Sequence, residues 1–130
     1  MAVFIEQTIF SELAANPGIE AIVGQRIYPL VAPEGATMPA IVIQRISGGQ
    51  INSLSGFSGI ERPRFQFSCY GSKYGEAKNA ARQLRKAVEA STELKAVCEN
   101  DIDQYDNEAD LFRCTVDFYI WAEVVLSTTM

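Results

Sequence analysis

The sequence predicts an α+β domain, with a mostly antiparallel sheet of four or five strands and two helices packed on one of its faces. Three observations predict it. From Arg64 to Tyr70 the residues alternate: Phe65, Phe67 and Cys69 point one way, and Arg64, Gln66 and Ser68 the other. That is the period of a half-buried strand. Next, from about Tyr74 to Ala90, the residues Ala77, Ala80, Ala81, Leu84, Ala87 and Val88 recur at three- and four-residue steps and make one apolar stripe. The stripe is mostly alanine, so this helix can lie close against a sheet. Finally, Phe112, Cys114, Val116, Phe118 and Ile120 alternate with Arg113, Thr115, Asp117, Tyr119 and Trp121, as in an antiparallel strand with one buried face.

In chain order, the first element is a helix over about 4–15. Phe4, Ile5, Ile9, Phe10 and Leu13 form its apolar face, and Asn16-Pro17-Gly18 ends it. A short apolar turn, Ile19 to Val23, leads through Gly24 to the stretch from Arg26 to Val31. That stretch reads as an edge strand, since Pro29 has no N–H to give a central ladder. Pro33-Glu34-Gly35 turns the chain into a second strand, Ala40 to Ile46. Residues 47–61 then carry four glycines and four serines, too many for a packed element, so a long mobile loop is predicted. Its apolar residues Ile51, Leu54, Phe57 and Ile60 are spaced by about three, and a pure linker would lack them. They predict a segment that orders against a partner; a plain hairpin connection is the alternative. The alternating strand and the alanine-rich helix follow. A weaker strand over about 94–105, the turn Asp106-Asn107-Glu108-Ala109-Asp110 and the last strand complete the chain, apart from a short extension over 124–130.

The 130 residues read as one domain. Such a chain buries roughly two-thirds of its unfolded surface and needs no staple. The net charge of -5 argues against binding along nucleic acid, which needs a basic face. The chain has no histidine, which removes the commonest general base and the commonest zinc and copper ligand. Cys69, Cys98 and Cys114 are odd in number and lack paired spacing, so they read as buried free thiols in a reducing compartment. No segment approaches the length of a membrane span, and the N-terminus lacks the basic start and apolar run of a signal peptide.

Glu99, Asp101, Asp103, Asp106, Glu108 and Asp110 raise the question of a calcium loop. That loop needs glycine at its sixth position and glutamate at its twelfth; counted from Asp101, these are Asp106 and Phe112. A solvated hairpin end is the better reading. Gly48-Gly49 and Gly56-Phe57-Ser58-Gly59 precede no Gly-Lys-Ser/Thr and miss the spacing of a nucleophile elbow. Lys78, Arg82, Arg85 and Lys86 form a basic stripe that fits the solvated back of an amphipathic helix better than a docking site. No catalytic, cofactor-binding or metal-binding residue is therefore assigned, and a non-enzymatic protein that works by its surfaces is predicted.

Several pieces, taken together, resemble one family: Arg26-Ile27-Tyr28-Pro29, the run from Pro39 to Ser47, Phe65-Gln66-Phe67, Tyr74-Gly75-Glu76-Ala77 and the run from Asp117 to Trp121. In that order, over about 10–123, they look like a tail completion protein of long-tailed bacteriophages. That group is similar in fold to the tail terminator of lambda-like phages. One departure is Ala40, where the family leads one to expect an aromatic. The resemblance implies a ring, usually of six subunits, at the head-proximal end of the tail tube. It would stop tube polymerisation and present the head-joining surface. The implied partners are further copies of the chain, the major tail tube protein and a head-completion or connector protein. The implied location is the neck region of the virion tail, after assembly in the bacterial host cytoplasm. A free monomer is compatible with this, because ring contacts can form on the tube tip alone. The predicted subunit interface comprises Ile51, Leu54, Phe57, Arg62 and Arg64. The alternatives are another neck component, such as a head-closure or adaptor protein, and a stand-alone ligand-binding module.

Overall fold

In a computed structural model, which describes residues 4–53 and 56–123, the chain begins with helix α1 (Ile5–Ala14). Ile9 and Leu13, from the predicted apolar face, are its buried residues. The expectation of two helices is corrected to three among the described residues. Asn16-Pro17-Gly18 ends α1 but also starts α2 (Pro17–Val23). The Asn16 side-chain oxygen accepts from the N–H of Gly18 at 3.0 Å and of Ile19 at 3.1 Å. Pro17 takes the first helical position, where a missing N–H costs nothing. A helix of seven residues carries too little periodicity to be told from an apolar turn. Helix α3 (Tyr74–Ala90) lies where the alanine stripe placed it. The Glu76 carboxylate secures its start by accepting from the N–H of Ser72 at 2.9 Å and of Lys73 at 3.3 Å.

Among the described residues the sheet has seven strands, not four or five, and it is mixed. They are β1 (Ile27–Pro29), β2 (Ala40–Ser47), β3 (Gln50–Ser53), β4 (Gly56–Glu61), β5 (Arg64–Gly71), β6 (Lys95–Asp106) and β7 (Leu111–Glu123). Strand β1 runs parallel to β2 and the remaining pairs are antiparallel. As Pro29 requires, β1 is an edge. The two added strands, β3 and β4, come from the segment predicted as a loop. Glycine and serine disfavour strands on their own, and here the pairing with neighbouring strands overrides that preference.

One side of the sheet carries the helices. Ile43 lies opposite Phe67 and Phe67 opposite Val116, while Phe65 lies opposite Phe118. These residues join Ile9, Leu13, Ile19, Val23, Ala77, Ala80, Leu84 and Val88 in a single buried cluster. Phe67 and Phe118 meet edge to face, with ring centroids 5.8 Å apart. The alanines let α3 settle onto β5 and β7, and α1 and α2 pack along its flank. Among the described residues no helix lies over the other side of the sheet. Its buried residues include Val42, Ser68, Thr115 and Asp117, and long side chains bond to Ser68 and Asp117. The Arg113 guanidinium, for example, donates to the Ser68 hydroxyl at 3.1 Å and lies 5.8 Å from the centre of the Tyr70 ring.

Candidate assembly surface

Strands β2 and β3 form one rail of a long hairpin, and β4 and β5 form the other. Ser47 lies opposite Arg64 and Gln50 opposite Glu61, so the pairing carries on across the gap between the strands. On the far side, β7 meets β5 at Arg64–Tyr119 and β4 at Glu61–Ala122 without a change of register. The Ile120 N–H bridges the join by donating to the Pro63 carbonyl at 3.0 Å. The segment 47–61 is thus an arm that continues the central strands past the end of β7.

The base of this arm is tightly built. The Arg62 N–H donates to the Gly49 carbonyl at 2.7 Å. Gly49 has φ +57, and a Cβ there would stand 1.9 Å from the Arg62 carbonyl oxygen, so only glycine fits. Arg45 reaches from β2 to Glu61 at 2.9 Å and to Glu6 of α1 at 3.5 Å, tying the arm to the first helix. Arg64 pairs with Asp117 across β5–β7, and the Asp117 hydrogen bond raises the guanidinium pKa further. The Nε of Arg64 is buried without a partner among the described residues.

The predicted interface residues are therefore spread along the arm. Ile51 lies in β3 opposite Ile60, and Phe57 lies in β4 opposite Asn52. Leu54 falls outside the described residues, as does the extension over 124–130. Arg64 already holds a carboxylate of its own subunit. Arg62 does not: its guanidinium lies 4.4 Å from the centre of the Tyr119 ring and 5.5 Å from that of Trp121. Trp121 is 41% exposed and Val97, opposite Tyr119 on β6, is 59% exposed. The sequence placed Tyr119 and Trp121 on the exposed face but gave no sign that Arg62 would meet them. Arg45 and Glu61 were missed as well, since residues 16 apart leave no local pattern.

Elsewhere the acidic cluster is dispersed. Asp103 accepts from the Tyr74 hydroxyl at 2.6 Å and pairs with Lys78 at 3.0 Å, while Asp101 lies 3.6 Å from Arg85. Asp106 caps the β6–β7 turn by accepting from the N–H of Glu108 and Ala109, and Asp110 accepts from the Tyr105 hydroxyl. Among the described residues no group of three or more Cys, Asp or Glu is placed to hold a metal ion. Cys69 and Cys114 face each other as free thiols, and burial pushes the Cys114 pKa up to about 11 and that of Cys69 higher still. Such thiols are protonated and inert at neutral pH. A cleft of about 680 Å³ opens at the end of the sheet opposite the arm, walled by apolar residues such as Leu30, Val31, Met38 and Leu111. Its polar groups, Glu34, Ser72 and Asp106, come from separate segments.

Comparison with known proteins fits this arrangement. No curated protein sequence matches the chain. Among solved structures, a chain from the virion of a native gene transfer agent (GTA) particle shares the fold, with a TM-score of 0.69 at 19% identity. The match covers 89% of this chain and 92% of that one. Residues 7–123 match the family described as tail completion protein gp17. With nearly its whole length matched, the chain belongs to the tail completion protein gp17 family.

Proposed function

We propose that copies of this chain form a ring, usually of six, at the head-proximal end of a phage tail tube, ending tube growth and offering the surface that the head joins. The chain is a structural protein of a phage tail, located in the tail and neck of the virion. Its partners in the proposed role are further copies of itself, the major tail tube protein and a head-completion or connector protein. The observation that carries the reading is the family match over 7–123. The geometry is compatible with it: an arm leaves one end of the sheet, so a subunit has two unlike ends, and head-to-tail contacts between unlike surfaces close into a ring when the rotation between subunits permits. Ile51, Leu54, Phe57 and Arg62 are the arm and arm-base residues proposed to meet a neighbour, with Arg64 behind them. The deciding experiment is electron microscopy of a lysate lacking the gene. Headless particles with tails of abnormal length are expected. Tails of normal length beside unattached heads would assign the chain to an adaptor role instead.

A further inference from the structure

We propose that the patch formed by Arg62, Tyr119, Trp121, Val97 and Lys95 is the docking surface for the Asp106–Asp110 turn of a second copy of this chain. The inference rests on the ring reading above and names the two surfaces that meet. The patch lies at the end of β7, where Lys95 faces Trp121. It combines a tryptophan, a tyrosine and an arginine, the residue types that dominate binding energy at interfaces. Arg64 is neutralised by Asp117, with Glu99 nearby. Arg62 and Lys95 have no ion pair among the described residues.

The complementary surface is at the opposite end of the same strand. The β6–β7 turn holds three carboxylates in five residues, Asp106, Glu108 and Asp110, all exposed. Asp106 is occupied with capping the turn and Asp110 with the Tyr105 hydroxyl, whereas the Glu108 carboxylate has no ion pair among the described residues. From Leu111 to Trp121 a strand rises roughly 33 Å, so turn and patch cannot touch within one molecule. Between copies they can, and when the contact repeats head to tail it propagates around a ring. Residues 124–130, which follow β7 in the sequence, carry no acidic side chain to meet Arg62 and Lys95.

The test is zero-length carbodiimide cross-linking with peptide mapping, on the protein alone and on isolated tails, beside sedimentation velocity over a concentration range. Mixed isotopic labelling identifies links between copies. The wild type is expected to give an intermolecular link from Lys95 to the 106–110 turn. Arg62→Glu and Glu108→Lys are each expected to weaken self-association about tenfold or more, because like charges then face each other. An equal mixture of the two variants should restore it, since the reversed patch meets the reversed turn and the unaltered patch meets the unaltered turn. Both residues are exposed, and unchanged thermal melts would show that the variants are folded. A wild type that assembles, with variants that assemble equally well or a mixture that restores nothing, overturns this contact and leaves the ring reading standing. Links at Lys95 that arise only after residues 124–130 are deleted name the chain's own tail as the occupant and also overturn it. A wild type that stays monomeric under cross-linking, alone and on tails, removes both readings.

Discussion

Phe118 shows most directly how a residue carries the architecture. It has no exposed surface, sits between β5 and β6 in the ladder, and packs edge to face on Phe67. Phe118→Ala is expected to cost about 3–5 kcal/mol through lost burial and a cavity, measured by chemical denaturation. A loss below about 1 kcal/mol would mean that the helix face is not the main core. Gly49 is critical for a different reason: φ +57 and the backbone of Arg62 leave no room for a Cβ. Gly49→Ala should cost about 1–3 kcal/mol of strain and open the base of the arm. Faster amide exchange at Arg62, whose N–H bonds the Gly49 carbonyl, would report it. Asp103 links the fold to pH. The Tyr74 hydroxyl, then Lys78, hold its carboxyl below the usual 3.8, and Asp103 in turn holds the Tyr74 hydroxyl above 10.0. The carboxylate contribution to stability is present above about 3.8 and fades as pH falls through the lowered value. The tyrosine contribution is present below 10.0 and fades as pH rises through the raised value. Asp103→Asn should flatten both limbs of a plot of denaturation midpoint against pH. An unchanged profile would remove these three side chains from the stability argument.

At the scale of the element, the arm is where sequence and structure part. The strand around Phe65 and Phe67, the alanine-striped helix and the last strand were legible because each repeats one period over several turns or pleats. The segment 47–61 spaces its apolar residues by about three, which is not the period of two that marks a strand, and glycine and serine hide a pairing that depends on strands distant in sequence, such as β7 against Glu61. Helix α2 was hidden by its brevity, although Asn16 and Pro17 announce its start as clearly as they announce the end of α1. For the candidate surface, the sequence supplied Arg62, Tyr119 and Trp121 as separate residues and could not supply their meeting. Replacing residues 50–60 with a Gly-Ser turn should leave the helices, β5 and β7 folded, because among the described residues their core is built from the three helices, β2, β5, β6 and β7. The same protein should fail to cap tails. A shortened chain that keeps its thermal melt and still complements a phage lacking the gene would reduce the arm to a connection.

For the whole molecule, the decisive property is polarity. One end of the sheet holds the arm and the Arg62–Trp121 patch, and the other holds the acidic turn and the cleft beside Leu30 and Val31. A two-fold pair would satisfy patch and turn reciprocally and stop at two copies, whereas a head-to-tail series leaves one patch and one turn open at its ends and grows until it closes. Cross-linking at rising concentration, or with tail tube present, should therefore give a ladder of species that stops at a closed ring, with six copies expected. Dimers that persist under every condition would mean that the symmetry is two-fold and that no ring forms.

The continuity of β2 with β3 and of β4 with β5 bears on how the subunit carries load. Where β2 gives way to β3 and β4 to β5, the Arg62 N–H bond to the Gly49 carbonyl and the pairing of β7 with both β4 and β5 hold the arm to the body. Ladder hydrogen bonds lie across the strands, so a pull along the arm's axis strains those joining β2, β5 and β7 sideways and simultaneously. A pull at right angles would peel them apart one after another. A subunit gripped by its arm and drawn lengthwise thus resists in shear, the direction in which a sheet is hardest to tear.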